Sequence, residues 1–267
     1  MPDVSAPHAG RVVVILPALN EAEAIGGVLT RMPRNELKAQ GYALSVWVVD
    51  GKSKDGTRDV AMSNGAGVLV QRGNGKGNAM SQAFDFFVDR GENPAWQQLA
   101  SQRYFIMMDS DGTYPPEAIP SFVNALDEGY DIVMGSRFQG AIEAGALTRL
   151  NRLGNRVLTR FAGFLFRSSV TDVCTGMWGL SERFLRRFAS TASGFDLEAD
   201  IFASACNGMN RMTEVAISYS RRVGTAKLVP IRTGLLIAWR LLLRWIRRGE
   251  IQPRERVKTT TQVGGAS

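Results

Sequence analysis

The sequence predicts one α/β domain built on an open, mostly parallel sheet with helices on both faces. Its 267 residues are 45% hydrophobic, enough for one sizeable core and too few for a second full domain. Short apolar runs alternate with amphipathic segments along the chain, which is typical of strand–helix–strand units. Several of these runs are continuously apolar, as strands buried on both faces are.

The elements follow in order from this alternation. Strands are predicted at residues 12–16, 44–49, 67–70, 104–108 and 131–134. Helices are predicted at 20–31, 55–63, 78–89 and 117–127, the last opened by Pro115 and Pro116, because proline suits a first helical turn. Polar clusters follow four of the strands, at 17–21, 50–52, 109–113 and 135–137. Ligands of such sheets bind outside the carboxyl ends of the strands, so the four clusters are expected to share one rim.

Histidine and cysteine usage narrows the chemistry. His8 is the only histidine, which excludes a Ser-His-Asp triad, a histidine zinc site and a histidine general base. Cys174 and Cys206 do not suggest a disulfide framework and are interpreted as reduced thiols. Catalysis must therefore rely on carboxylates, a carboxylate-bound metal, arginine and lysine.

The net charge of +7 is concentrated at the carboxyl end. Residues 221–267 hold eleven Lys/Arg and two acids, whereas the preceding 220 residues are close to neutral. A neutral body with a basic tail indicates an anionic partner, either a membrane or a nucleic acid. No signal peptide and no membrane span are expected from the sequence.

The triplet Asp109-Ser110-Asp111 directly follows a predicted strand. Two carboxylates at that position suit Mg²⁺ or Mn²⁺, whose remaining ligands a diphosphate would supply, although an isolated Asp-x-Asp also occurs in solvated turns. Asp50 ends another strand, where it either binds a nucleotide base or caps the turn that follows. Glu21 either holds a ribose hydroxyl or interacts with a helix dipole.

Three further segments allow two interpretations each. The run 73–77 contains Lys76 between glycines and either approaches a ligand or forms a flexible loop. The arginines of the segment 149–160 share one helix face beside an apolar stripe, which favours anion binding over a solvated face because acids are missing. The segment 234–248 combines basic and apolar faces, which favours a helix lying on a membrane over one packed on the body or in a dimer.

Taken together, these motifs resemble the family-two glycosyltransferases, and within them the dolichol- and polyprenyl-phosphate sugar synthases. The resemblance covers roughly residues 11–232 and rests on VVVILPALNEAEAIGGVL, VVDGKSKDGT, GNGKGNA, MMDSDGTYPPEAI, DIVMGSRF, DVCTGMWGL, GFDLEADI and RRVGTAKL. It implies a GT-A fold, an inverting reaction and a divalent metal, Mg²⁺ or Mn²⁺. The implied activity moves a sugar from a nucleotide-sugar to a polyprenyl phosphate.

The resemblance also implies roles for particular residues. The nucleotide-sugar is expected to contact Pro17, Leu19, Glu21, Asp50, Lys76, Asp109, Ser110, Asp111, Arg222 and Lys227. The metal is expected at Asp109, Asp111 and Thr113, the acceptor phosphate at Arg137, Arg149 and Arg152, and the catalytic residues are expected to be Asp111, Arg137 and Glu198. Relatives often carry an acid where Gly51 or Lys52 stands and an aromatic where Leu19 stands, so the base, uracil or guanine, stays open.

Alternatives remain at this point. A soluble hydroxyl acceptor would need a carboxylate base, for which Asp196, Glu198 and Asp200 are candidates. MMDSDGT also matches the signature of haloacid-dehalogenase phosphatases, with Asp109 as the nucleophile. A non-enzymatic adaptor would leave the carboxylates unexplained, so no nucleic-acid partner is expected, while a homodimer is left open.

The expected organisation is a flexible tail at 1–10, a glycosyltransferase domain at 11–228, an amphipathic helix at 229–250 and a flexible tail at 251–267. The expected location is cytoplasmic, at the inner face of the membrane.

Overall fold

A computed structural model describes residues 10–90, 102–224 and 230–248 of the protein. Its described strands form one seven-stranded sheet in the order β3-β2-β1-β4-β6-β5-β7, in which only β6 runs antiparallel to its neighbours. The strands are β1 Gly10–Ala18, β2 Tyr42–Asp50, β3 Gly67–Val70, β4 Gln102–Met108, β5 Ile132–Ser136, β6 Met177–Ser181 and β7 Met212–Ala216.

Helices cover both faces of the sheet. They are α1 Ala22–Thr30, α2 Arg34–Ala39, α3 Thr57–Ser63, α4 Lys76–Arg90, α5 Ile119–Asp127, α6 Arg149–Phe166, α7 Glu182–Leu185, α8 Leu197–Asn207 and α9 Pro230–Ile246. A 3₁₀ turn at Pro116–Ala118 leads into α5, where a proline-opened helix was predicted. The α/β architecture with a mostly parallel sheet is therefore confirmed.

The central strands divide their side chains between two core layers. Val13 and Ile15 pack into the layer beneath α4 and α8, while Val14 and Leu16 pack into the layer beneath α1 and α5. Both faces of β1 are buried, which explains why its sequence is continuously apolar. Full burial of one such side chain contributes about 1.5–3 kcal/mol, so these strands anchor the loops at their ends.

The parallel register brings the predicted polar clusters to one edge. Ala18 of β1 lies beside Asp50 of β2, and Ile15 lies beside Met107 of β4. Two antiparallel pairings, β4 with β6 and β6 with β5, turn β5 back into the direction of β4. The carboxyl ends of β1, β2, β4 and β5 therefore lie on the same side, as the sequence predicted.

Helix α6 presents its apolar stripe outward. Leu150, Leu153, Val157 and Phe164 are exposed, whereas the buried face consists of Asn155, Thr159, Ala162, Leu165 and Phe166. Two polar residues of this buried face form hydrogen bonds with the domain: Asn155 donates to Asp172, and the Thr159 hydroxyl accepts from the backbone of Val173. The stripe is therefore not the core face that an amphipathic pattern usually marks.

Helix α9 docks on α6 and α8 through its basic side. Ile237 and Leu241 are buried, and three arginines bond to the body of the domain. Arg240 lies 2.6 Å from Asp196, Arg244 lies 2.5 Å from Asp200, and Arg248 donates to the carbonyl of Leu165. The sequence-based interpretation of these arginines as a lipid-facing surface was wrong, because each neutralises or caps a group of the domain. The apolar side chains Leu235, Leu236, Trp239 and Ile246 are left exposed instead.

None of the described helices is long and apolar enough to cross a bilayer.

Replacing Arg244 with alanine is expected to lower the free energy of unfolding by about 3 kcal/mol, because it leaves the fully buried Asp200 carboxylate without its cation. Ser190 and Thr191 still donate to Asp200 and keep the loss from being larger. Urea denaturation measures the change. Arg247→Ala, at an exposed position one turn further along, is the control, and equal losses in both variants would contradict this role of Arg244.

Candidate active site

The aspartate pair lies on the loop after β4. Asp111 accepts hydrogen bonds from the Thr113 hydroxyl at 2.6 Å and from the Thr113 backbone at 3.1 Å. Ser110 donates to the carbonyl of Pro17 at 2.8 Å, which ties this loop to the end of β1. Thr113 thus orients Asp111, and its role as a metal ligand stays a prediction.

Lys76 bridges two carboxylates from distant parts of the chain. Its ammonium lies 2.5 Å from Asp109 and 2.5 Å from Glu198, the latter on the first turn of α8. Burial lowers the pKa of Lys76, but the charges of the two carboxylates outweigh it, and the pKa is raised overall. Burial raises the pKa of Asp109 and of Glu198, against the opposing effect of Lys76. Burial therefore disfavours the ionised form of both carboxylates, and Lys76 only partly offsets this effect.

Arg222 forms a second bridge. It lies 2.5 Å from Glu21 and 2.6 Å from Asp111, joining the loop after β1 to the aspartate pair. Its Nε is buried and has no hydrogen-bond partner among the described residues. The segment that carries it lies across the loop, because Val223 donates to the backbone of Asp111. Lys227 lies outside the described residues.

The cluster holds four carboxylates and two cations. Glu21, Asp109, Asp111 and Glu198 share Lys76 and Arg222, which leaves a charge of −2 if all are ionised. Among residues 10–90, 102–224 and 230–248, no group of three or more His, Cys, Asp or Glu side chains is arranged to hold a metal. Two carboxylate ligands and this unbalanced charge fit a Mg²⁺ or Mn²⁺ ion whose other ligands come from a diphosphate and water.

The Asp50 side chain stabilises the turn that follows β2. Its side chain is fully buried and accepts from the backbone of Lys52 at 3.1 Å and of Ser53 at 3.2 Å, with Arg58 at 3.5 Å. Of the two interpretations of Asp50, the structure therefore favours the turn, and contact with a base stays a prediction. Leu19 is partly exposed at the same rim.

The glycine run before α4 packs against protein. A Cβ atom on Gly75 would lie 2.3 Å from the carbonyl oxygen of Ser193, and one on Gly77 would lie 2.5 Å from that of Ala192. Gly75 also has a positive φ of 89°. These glycines let the loop approach the segment before α8, which places Lys76 beside Glu198. The close approach that these glycines allow in the structure is to the protein backbone, and contact of this run with a ligand stays a prediction.

Arg137 is held in a fixed orientation by Asp172. Its Nε and one Nη donate to the two Asp172 oxygens at 2.7 Å each, and the same Nη donates to the carbonyl of Cys174. The guanidinium lies 5.1 Å from the ring centre of Tyr219. Within the described chain, its other Nη makes no hydrogen bond and is the donor left for a ligand. Asp172 was not singled out from the sequence, although it begins the quoted DVCTG motif.

A cavity of about 300 Å³ opens beside Arg137. Three arginines line it, Arg137, Arg152 and Arg156, together with Phe138, Gly140, Ile142 and Thr171. We call it the anion cavity. The predicted Arg152 is present here, Arg156 joins it, and Arg149 is exposed outside the lining. A phosphate group fits this donor set because guanidinium groups bind phosphate oxygens in pairs.

One layer of aromatic rings separates the anion cavity from the carboxylate cluster. Tyr114 and Tyr219 pack edge to face with ring centres 5.2 Å apart. Tyr219 contacts Arg137 on one side, and the Tyr114 hydroxyl accepts from the backbone of Gly176. A Cβ atom on Gly176 would lie 2.3 Å from an Asp109 oxygen, so this glycine abuts the aspartate pair. The two sites are thus neighbours, which the sequence did not reveal.

Two of the three candidate bases serve another purpose. Asp196 and Asp200 are bonded to Arg240 and Arg244 and hold α9 in place. Glu198 is the one that faces the cluster.

Comparisons with known proteins place the chain in a family. The pattern described as Glycosyl transferase family 2 matches residues 13–188. The chain is 34% identical over 233 residues to glycosyltransferase AglJ of Haloferax volcanii, covering 86% of this chain and 71% of that one. The chain is a family 2 glycosyltransferase. Membership replaces the phosphatase interpretation of MMDSDGT and the adaptor interpretation.

Two further proteins that are similar to this glycosyltransferase have names that state their activity. It is 34% identical over 228 residues to a dolichyl-phosphate hexose transferase of Haloferax volcanii, covering 85% of this chain and 90% of that one. A solved structure of glucosyl-3-phosphoglycerate synthase from Mycobacterium tuberculosis, in complex with Mn²⁺, UDP and glucosyl-3-phosphoglycerate, superposes with a TM-score of 0.63 at 20% identity, covering 87% of this chain and 79% of that one. The predicted GT-A fold is confirmed by such neighbours.

Proposed function

We propose that this glycosyltransferase moves a sugar from a nucleoside-diphosphate sugar to the phosphate of a polyprenyl lipid, with inversion at the anomeric carbon. The proposal rests on two neighbouring sites. One is the acidic cluster, whose charge is −2 if all its groups are ionised, and the other is the arginine-lined anion cavity. The rings of Tyr114 and Tyr219 lie between them. The first suits a metal-bound diphosphate, and the second suits a phosphate acceptor. The name of the dolichyl-phosphate hexose transferase points to the same acceptor class.

At the donor end, Asp109 and Asp111 would hold Mg²⁺ or Mn²⁺, which supplies charge stabilisation for the departing nucleoside diphosphate. Lys76 and Arg222 occupy these carboxylates in the structure. With a metal held by Asp109 and Asp111, Lys76 and Arg222 would be released from these two carboxylates and would bind phosphate oxygens of the donor. As the resemblance implies, the remaining nucleotide contacts would come from Glu21, Pro17, Leu19, Ser110 and Lys227.

At the acceptor end, Arg137, Arg152 and Arg156 bind the lipid phosphate. One phosphate oxygen attacks the anomeric carbon with its electron pair, a new carbon–oxygen bond forms, and the bond to the diphosphate breaks with its electrons on the leaving oxygen. A phosphate is ionised near neutral pH, so no general base is required. That agrees with the lack of histidine in the domain and with a Glu198 that is bonded to Lys76.

A soluble hydroxyl acceptor is the second candidate, favoured by one observation: burial raises the pKa of Glu198, which makes it a stronger base. The two candidates separate in one experiment. Release of UDP or GDP is measured from UDP-glucose, UDP-N-acetylglucosamine and GDP-mannose in Mg²⁺ or Mn²⁺, with and without a short polyprenyl phosphate, beside an EDTA control. Release that requires the lipid and is lost in EDTA supports the proposal, and release indifferent to the lipid contradicts it.

The protein is proposed to bind the inner face of the membrane peripherally, through residues 234–248. Leu235, Leu236 and Trp239 of α9 are exposed, beside the exposed stripe of α6. Arg240, Arg244 and Arg248 dock α9 on the domain. The exposed cations that remain for anionic lipid are Arg149, Arg160, Arg232 and Arg247. Exposed apolar and basic side chains together are typical of interfacial helices.

Replacing Trp239 with aspartate is expected to lower partitioning onto vesicles containing anionic lipid by roughly tenfold, because burial of one large apolar side chain contributes about 1.5–3 kcal/mol. Vesicle co-sedimentation measures the change. Met62→Asp, at an exposed apolar position on α3, is the matched control and should bind like the wild type. Equal partitioning of both variants would remove α9 from the membrane-binding surface.

A further inference from the structure

Helix α6 carries an exposed apolar stripe that the donor and phosphate sites do not use. Leu153 and Phe164 are 62% and 82% exposed, and Leu150 and Val157 are each 56% exposed. We call these four residues the α6 stripe. Exposed apolar side chains occur singly on most proteins, but a contiguous row of this kind marks a surface that binds something.

One end of the α6 stripe meets the anion cavity. Arg152 and Arg156 line that cavity, and Leu153 and Val157 are the next residues on the helix surface. A group held by the arginines therefore has apolar side chains directly beside it.

The other end meets a second cavity of about 510 Å³, which we call the aromatic cavity. Its lining consists of Phe164, Leu165, Phe166, Arg167, Cys206, Asn207, Trp245 and Arg248. The Arg248 guanidinium lies 4.9 Å from the ring centre of Phe166 and 5.6 Å from that of Trp245, and it donates to the Leu165 carbonyl. Arg248 is thus part of the wall, in which aromatic rings lie beside the polar side chains of Arg167 and Asn207.

The helix geometry joins the two cavities along one line. Leu153 and Phe164 are eleven residues apart, which brings them within about 20° of each other around the helix axis and about 16 Å apart along it. Val157 lies between them, about 6 Å from Leu153 along the axis. Between Val157 and Phe164 the half-buried Phe161 continues the apolar side, and the exposed Arg160 borders it. Apolar side chains bordered by a cation therefore lead from the phosphate-binding arginines to the aromatic cavity.

We propose that the α6 stripe and the aromatic cavity bind the hydrocarbon chain of the acceptor while its phosphate lies in the anion cavity. This inference rests on the proposed function and adds a binding site for the chain. The surface has the two properties of one amphiphile in the right order: the arginines of the anion cavity at one end, then apolar side chains that lead to the aromatic cavity. The site therefore selects a phosphate that carries an extended chain long enough to reach Phe164.

The test measures transfer to geranyl, farnesyl and geranylgeranyl phosphate, each below its aggregation limit and without vesicles, so that membrane partitioning makes no contribution. In the wild type, kcat/KM is expected to rise with chain length. In Phe164→Ser, the gain for the longest chain is expected to fall roughly tenfold through KM, while geranyl phosphate, the shortest, is unaffected. Val157→Ser is expected to weaken all three acceptors.

Met62→Ser, an exposed apolar position on α3, is the control and should keep the wild-type profile. An unchanged chain-length profile in Phe164→Ser would overturn the chain site, even where all three phosphates are accepted. Failure to transfer sugar to any of the three, in the wild type, would instead contradict the proposed function itself.

Discussion

Replacing Asp111 with asparagine is expected to lower kcat for sugar transfer about a thousandfold, equivalent to about 4 kcal/mol of transition-state stabilisation. The change removes one of two carboxylates proposed to hold the metal and one partner of Arg222. Asparagine keeps an oxygen for the Thr113 hydroxyl, so the loop is expected to keep its shape. Single-turnover transfer at saturating donor separates this effect on chemistry from an effect on donor binding.

The control for this change is Asp59→Asn, an exposed carboxylate on α3, which should transfer at the wild-type rate. Thermal unfolding of both variants shows whether the fold is intact. A folded Asp111→Asn variant with a kcat within tenfold of the wild type would exclude Asp111 from the metal site.

Replacing Gly176 with alanine is expected to abolish tight binding of the metal and donor together, because the new Cβ atom would lie 2.3 Å from an oxygen of Asp109. It would also lie 3.0 Å from the Tyr114 ring, so the side chain has no free direction. Asp109 must turn away or β6 must shift, and either movement disturbs the aspartate pair. Calorimetric titration with Mn²⁺ and a nucleoside diphosphate is expected to show at least a hundredfold weaker binding, about 2.7 kcal/mol.

Gly27→Ala provides the comparison, since a Cβ there meets nothing within 4 Å and the position is inside α1. That variant is expected to bind normally and to gain up to about 1 kcal/mol of stability from the better helix former. Wild-type metal binding by Gly176→Ala would show that β6 moves freely, and the close contact with Asp109 would then have no functional meaning.

The proposed metal site predicts that the metal and the donor bind together. With four carboxylates and two cations, the cluster is kept together by Lys76 and Arg222, each of which bridges two acids. A divalent ion alone at Asp109 and Asp111 would leave Lys76 with Glu198 and Arg222 with Glu21 as their only carboxylate partners. A metal with a diphosphate supplies both the cation for the carboxylates and the anion for the displaced side chains.

The sequence could predict those elements of the fold in which the pattern of apolar residues is clear. The strands β1, β2 and β4 are buried on both faces and give continuous apolar runs, so they were found together with the polar residues at their ends. Helix α8 was missed because it is buried on nearly all sides and shows no polar face. Strands β6 and β7 are five residues each, too short for a clear alternation.

The site shows the same limit. Asp109, Asp111 and Glu198 were found because a carboxylate at a strand end or in a quoted motif stands out. Asp172 and Gly176 were missed because their roles depend on contacts across more than thirty positions of sequence, with Arg137 and with Asp109. The sequence also did not reveal that the arginines of α9 bind the domain while its apolar side chains are exposed. Periodicity shows which residues share a helix face, but it does not show which face contacts the domain.

The most direct test of the account compares polyprenyl phosphate with the polyprenol of the same chain as acceptors. A nucleotide-sugar labelled in the sugar is the donor, and label is counted in the organic phase. Transfer to the phosphate alone is expected, because the attacking group is proposed to bind Arg137, Arg152 and Arg156 and a phosphate needs no general base. Equal transfer to the polyprenol would contradict it and make Glu198 the base of a hydroxyl-directed enzyme.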